Sequence, residues 1–358
     1  MHGILRSFLL FLFVFLVDAH LPVFPATTSD SSPFKLASVT EKSYGVYGEL
    51  GSTDIVWLEM EGIKGEEMTV SLQRNEKRAV YDVAIWGEGL DNVTCGNKNW
   101  YGWAHSVGGH YFTRNLTELP DKVKDAIGAS EAFVLHGDGL EDPEFEPFGV
   151  GLYWPIGGCK DSFPATATYR MALVNPKEKL VGFSLGVGMV ESFSVADLLL
   201  MPFVIYRTFV WGGRSTEAVI GIFALSVLIF YAFRLMALQS DRSYRLIEGQ
   251  GVSTILLHVV WICAGAFFAS GVSFLFQIIV SLTIKPDIGS IILLPLGVHV
   301  LLPIAIALLI FFYYQPYSSW WIKAGVIVSG VYMLFLGWMA FLVFPAMIIV
   351  AAVVHLII

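Results

Sequence analysis

VSTILLHVVWICAGAFFASGVSFLFQIIVSL, residues 252–282, runs for 31 positions without an Asp, Glu, Lys or Arg. A helix of ~20 apolar residues crosses the ~30 Å hydrocarbon core of a bilayer, so this run spans one with residues to spare. Thr216 to Leu238 and Ile288 to Tyr314 are also long enough. The last run, Trp320 to Ile358, has 39 residues and contains Pro345. Its first ~25 residues suffice to cross, and the remainder is too short to cross again. Four crossings are therefore expected, packed closely through small residues at helical spacing: Gly265 with Ala269, Ala266 with Ser270, and Gly325 with Ser329. Tyr313, Tyr314, Tyr317, Trp320 and Trp321, with Lys323 beside them, make an aromatic belt at one interface.

Upstream of these runs, residues 192–213 are ambiguous. Val195 to Trp211 contains Pro202 and carries Asp197 and Arg207. We expect a helix lying in the headgroup plane, with five crossings as the alternative, because Gly212 to Ser215 is a very short link between two spanning helices. With the polar half outside and four crossings, Arg234, Arg242, Arg245 and Lys323 face the cytosol against Arg207, Arg214 and Lys285 on the other side, a weak positive-inside bias.

The rest of the chain differs in composition. Of 358 residues, 55% are hydrophobic and 15% charged, where a soluble domain carries about 25% charged residues. The net charge is -8, which excludes a nucleic-acid partner on electrostatic grounds. Residues 30–191 hold 24 acids against 14 bases, whereas 192–358 hold 5 acids and 7 bases. An acidic polar domain thus precedes a bundle, 214–358. Residues 1–19 read as a secretory signal, with Arg6 ahead of the ten-residue apolar run Phe8 to Val17 and small residues Val17 and Ala19 at the cleavage positions. Residues 20–33, with their Pro and Ser/Thr, read as a linker.

Within residues 34–191, alternating or β-branched runs recur at Tyr44–Leu50, Ile55–Met60, Met68–Leu72, Ala79–Trp86, Ala132–His136, Ala165–Val174 and Leu180–Val187. Turn signals at Glu88-Gly89, Gly137-Asp138-Gly139 and Gly157-Gly158 separate them, and Leu119–Ala129 suits one short helix. Many short strands without long helical stripes predict an all-β sandwich. The whole is an all-β sandwich ectodomain followed by an α-helical transmembrane bundle.

The stretch YGELGSTDIVWLEMEGIKGEEMTVSLQRNEKRAVYDVAIWGEG carries Asp54 and Trp57 before and within one strand, Gly65 before Thr69-Val70, and Asp82 on a later strand. In this pattern residues 44–89 resemble the opening of pre-peptidase C-terminal β-sandwich modules. The resemblance implies a module that binds or assists rather than one that catalyses.

Cys95 and Cys159 lie in the polar half, and Cys263 in an apolar span. A pair in an oxidising lumen bonds, so a Cys95–Cys159 disulfide is expected. Asn92-Val93-Thr94 and Asn115-Leu116-Thr117 are glycosylation sequons. Asp138, Glu141, Asp142, Glu144 and Glu146 form an acidic loop, for which calcium is the candidate cation, though the order departs from EF-hand spacing and a solvated loop is the plainer reading. Trp100, Tyr101 and Trp103 form a run too aromatic for an ordinary exposed loop and are the candidate contact surface for a ligand or partner. In the bundle, His258, Gln277 and His299 are the candidate intramembrane polar groups. His258 and His299 differ in depth by roughly 16 Å along their helices, which argues against one shared haem. Cleavage after Ala19 would expose His20 for a copper brace with His105, His110 or His136, but nothing else matches a copper oxygenase.

No nucleophile elbow, phosphate-binding loop, zinc spacing or protease motif occurs, so catalysis is not expected and no cofactor is predicted. The expected protein is an integral membrane protein of the secretory pathway or cell surface. Its lumenal domain binds a ligand, or a membrane or lumenal partner protein, while the bundle sits in the lipid bilayer. The alternative is a channel or transporter-like protein with a sensing ectodomain.

Overall fold

A computed structural model of the chain describes residues 21–37, 39–75, 80–95, 112–137, 143–146, 151–177, 180–188, 190, 194–239, 251–315, 318–336 and 342–357. The chain falls into two compact units, Met1–Glu144 with Tyr153–Ser194 and Phe145–Leu152 with Val195–Ile358.

The first unit holds two six-stranded mixed sheets. One has the order β1 (Leu21–Val23), β3 (Tyr44–Leu50), β12 (Val181–Val187), β5 (Glu67–Arg74), β10 (Gly151–Ser162) and β9 (Glu144–Glu146). The other runs β2 (Phe34–Leu36), β4 (Ile55–Gly62), β11 (Ala167–Val174), β6 (Asp82–Trp86), β8 (Ala132–His136) and β7 (Phe112–Thr113). Each begins with a three-residue parallel edge strand, β1 on β3 and β2 on β4. β1 lies in the stretch expected to be a linker. Its Pro22 is tolerated because an edge strand needs only one ladder. Gly157-Gly158, expected as a turn, instead lies inside β10, just after a bulge between Pro155 and Gly157.

One cluster of buried side chains draws on both sheets: Val46, Val70, Leu72, Phe183 and Leu185 from the first, and Leu58, Met60, Ile85, Phe133 and Met171 from the second. Two buried tyrosines tie backbones within it. Tyr81, fully buried, donates its hydroxyl to the Ser184 carbonyl at 2.6 Å and accepts the Gln73 N–H at 2.9 Å. Tyr169 accepts the Ala165 N–H at 3.2 Å and lies within 3.1 Å of the carbonyls of Ala165 and Glu88. Glycine makes room for that ring. A Cβ at Gly62 would come within 2.6 Å of Tyr169 and 2.3 Å of Phe163, and one at Gly87 within 2.5 Å of Tyr169.

The second sheet is covered on its other face as well. α1 (Asp121–Ile127), inside the stretch expected to be helical, lays Val123 and Ile127 with Leu119 on Trp57, Trp86 and Val134. Ala84, Ala132 and Ala172 line the same cluster, and such short side chains let a helix approach a sheet. This double coverage explains why β6 is buried at every position, where a sheet with one wet face would alternate.

The second unit is helical: α2 (Val195–Trp211), α3 (Thr216–Gln239), α4 (Val252–Ile284), α5 (Gly289–Tyr313), α6 (Trp320–Leu336) and α7 (Val343–Ile357). α3, α4 and α5 are each long and apolar enough to cross a membrane, and α4 is the most enclosed. α3 and α4 run antiparallel, with Arg214, just before α3, at Gln277 and Tyr231 at His258. Gly271 of α4 lets α5 close in, since a Cβ there would meet the Val300 carbonyl at 2.8 Å and Ile304 at 2.6 Å. α5 opens with a 3-10 turn over Gly289–Ile292 and widens to a π-turn over Leu296–Leu301. Pro303 has no N–H to close that turn. The Tyr332 hydroxyl of α6 donates to the Val298 carbonyl at 2.9 Å, supplying a bond where the backbone is short of donors.

The final run, expected as one crossing and a tail, folds as two antiparallel helices. α6 is described as far as Leu336, and α7 runs back along it, with Lys323 donating to the His355 carbonyl and Gly330 packed on Ile348 and Ile349. α7, at 15 residues, is ~22 Å long, short of a ~30 Å core, and the 17 described residues of α6 span ~25 Å. Pro345 does not break α7, because it sits in the first turn, where no N–H is required.

Candidate functional site

The first unit carries a groove of ≈ 860 Å³ lined by residues 25–30, by Glu49, by Thr53 to Trp57 and by α1. Its floor follows from the register of β4. β2 pairs only with Leu58 to Met60, so among the described residues no strand lies beside Ile55 to Trp57 on that side. The Trp57 N–H is instead taken by Thr28 Oγ1 at 2.8 Å. Trp57 itself is buried beneath α1, edge-on to Trp86 with centroids 6.1 Å apart, while Ile55 and Val56 are half-buried. The groove's charged groups are the carboxylates of Asp30, Glu49, Asp54 and Asp125 and the ammonium of Lys122, all exposed. Asp54 accepts the Gly51 N–H at 2.9 Å, and Asp30 pairs with Arg170 at 3.2 Å.

Cys95 and Cys159 are joined as expected. Cys159 is buried on β10, in register with Val70. The arm leading to Cys95 is fastened on both sides. Arg114 donates to the carbonyls of Leu90, Asp91 and Val93 at 2.9 Å each, and Asp161 accepts the Thr94 N–H at 2.9 Å. Cys95 has φ 48°, a left-handed conformation that costs a non-glycine residue roughly 1–2 kcal/mol.

Asn92 and Asn115 are both exposed, Asn92 ending a 3-10 turn and Asn115 accepting the Thr117 N–H at 3.1 Å. Trp100, Tyr101 and Trp103 lie outside the described residues, as do Asp138, Glu141 and Asp142. Glu144 takes the Tyr153 hydroxyl at 3.0 Å, and of the Glu146 side chain nothing is described. Among the described residues no three His, Cys, Asp or Glu side chains gather as metal ligands. Of the copper-brace candidates, only His136 is described, and it faces Asp82 at 3.2 Å.

The intramembrane polar residues are kept apart. His258 Nδ1 lies 2.9 Å from the Tyr231 hydroxyl. His299 is buried and stacked on Phe274 with centroids 4.9 Å apart. Phe274 is ~24 Å along α4 from His258, so the two histidines share no site. Gln277 Oε1 accepts Arg214 Nε at 2.7 Å. His355 lies 2.6 Å from the Tyr314 hydroxyl and 3.2 Å from the Ser253 carbonyl, joining the ends of α4, α5 and α7. Burial raises the hydroxyl pKa of Tyr81 and of Tyr169 above the ordinary tyrosine value.

The groove escaped the sequence reading because residues 25–30, 55–57 and 122–126 are far apart in the chain. Only Asp54 and Trp57 stood out, as parts of a strand pattern.

No protein-family model matches the chain, and no curated protein matches it. Among solved structures it is similar to the crystal structure of Aeromonas hydrophila PliG, a periplasmic lysozyme inhibitor of g-type lysozyme. The two are 13% identical over 43% of this chain and 95% of that one, with a TM-score of 0.22.

Proposed function

We propose that the chain is a multi-pass membrane protein of the secretory pathway whose two sheets close as a lumenal β-sandwich that binds a partner protein. The division of labour in the chain supports this reading most. An acidic β unit with its own enclosed core and disulfide precedes a helical unit that carries three helices of membrane-spanning length. The disulfide suits an oxidising lumen. In this reading α3, α4 and α5 cross, α2 lies in the interface, and the α6–α7 hairpin enters and leaves on the side of residues 240–250. Arg234, Arg242, Arg245 and Lys323 then lie on the cytosolic side, as the positive-inside bias favours. The test is mass spectrometry of what co-purifies with the full-length protein from native membranes in mild detergent. A stoichiometric protein partner is expected, and purification of the chain alone would refute the reading.

One observation favours a second reading, a channel or transporter-like bundle. Ser270, Ser273, Gln277 and Ser281 share one face of α4 at helical spacing, and all four are buried. Among the described residues the hydroxyls of Ser270 and Ser273 meet no hydrogen-bond partner, and such groups in a dry interior are commonly met by water. Flux lost in Gln277→Leu and His299→Leu proteins that still fold would establish this reading. Unchanged flux would remove it.

A further inference from the structure

Three features of the groove converge on one kind of occupant. The first is the uncovered edge of β4. An unpaired strand edge is a template for an added strand; among the described residues no strand pairs with this one at Ile55 to Trp57, where Thr28 Oγ1 takes the Trp57 N–H and leaves the edge open at Ile55. The second is the floor beside it, where Ile55, on the face of β4 that carries Trp57 and α1, offers half-buried apolar surface to an extended segment. The third is charge: four carboxylates line the groove against the single ammonium of Lys122. Arg170 offsets Asp30, which leaves Glu49, Asp54 and Asp125 to set the sign of the field.

We propose that this groove receives an extended, Lys- or Arg-bearing peptide segment of the partner protein, added to the free edge of β4 with its cationic groups against Glu49, Asp54 and Asp125. The proposal rests on the binding reading above and names its site. Apolar side chains on one face of the segment cover Ile55, and basic ones meet the carboxylates. The main-chain bonds supply affinity, and the charges exclude acidic segments.

The experiment uses full-length protein in a neutral detergent and a fluorescein-labelled eight-residue peptide alternating lysine with valine. Binding is read by anisotropy near 0.15 M salt, where screening over ~8 Å suppresses the field of the domain as a whole. Saturable binding is expected, absent for the glutamate–valine peptide and for empty micelles. The exposed double variant Glu49→Lys/Asp125→Lys should weaken it about tenfold, and Glu66→Lys, on the exposed turn at the other end of β4, less than about twofold. N-methylation of the peptide's strand-pairing amides should weaken it by a similar factor. Equal losses in the two variants, equal binding of the N-methylated peptide, or no saturable binding would each overturn the proposal. A co-purifying partner that the double variant still captures would also overturn it and leave the binding reading standing. Loss of peptide and partner together would support both.

Discussion

Reducing the Cys95–Cys159 bond frees a loop with a sequence separation of 64. On the chain-entropy model, a closed loop of that size stabilises by about 4 kcal/mol. Against this stands the left-handed backbone of Cys95, which reduction allows to relax and which is worth roughly 1 kcal/mol. The net loss should therefore be about 3 kcal/mol, falling on the β unit alone. For a unit of this size it lowers Tm by roughly 6–12 °C. Reduction tests this better than substitution, because Cys159 is buried and truncating it would add a cavity penalty. Thermal scans of the full-length protein in detergent, followed at a strand wavelength and at a helix wavelength in circular dichroism, separate the two units. The strand signal should shift on treatment with a phosphine reductant and the helix signal should not. A shift below about 3 °C would refute the loop argument, and an equal shift in both signals would refute the independence of the units.

Gly62→Ala forces a Cβ to within 2.3 Å of Phe163 and should destabilise the β unit by about 1–3 kcal/mol, read as a lower Tm of the strand signal. Tyr332→Phe strips the Val298 carbonyl of its donor and should cost the helical unit about 1 kcal/mol in detergent–denaturant titrations, whereas Tyr313→Phe, at an exposed position, should be neutral. The raised hydroxyl pKa of Tyr81 means that folded Tyr81 keeps its proton at a pH where the unfolded side chain, near pKa 10, has lost it. Its stabilisation is full below about pH 10 and falls as pH rises beyond it. Melts between pH 8 and 11 should show a steeper decline for the native chain than for Tyr81→Phe, and identical slopes would contradict the assignment.

Strands whose composition differs from their flanks were legible. β3 and β8 occupy the stretches read from alternation, Tyr44–Leu50 and Ala132–His136. α1 fell inside its expected range because Val123 and Ile127 recur at helical spacing. The edge strands β1 and β2 were not legible, since three residues carry no period and their pairing is decided by β3 and β4. β10 was hidden by its own glycines, which mark a turn in isolation but follow a bulge within a strand. The return of α7 was invisible for a related reason: apolar periodicity along Trp320 to Ile358 is the same whether the chain continues or folds back. The histidines take partners that sequence spacing does not show, Tyr231 for His258 and Tyr314 for His355. The groove was beyond sequence reasoning, because it depends on which strand edge remains uncovered.

The α6–α7 hairpin has a consequence for how the protein is made. Both of its ends meet at one level, where Lys323 reaches the His355 carbonyl, and Lys323 is the sole charged residue from Trp320 to Ile358 apart from His355. Such an element can slide into lipid sideways as a preformed pair, leaving its charge at the doorway and carrying no hydrophilic stretch through the hydrocarbon. Lateral entry of that kind would let the hairpin close against α4 as a latch, at the contact of His355 with Ser253.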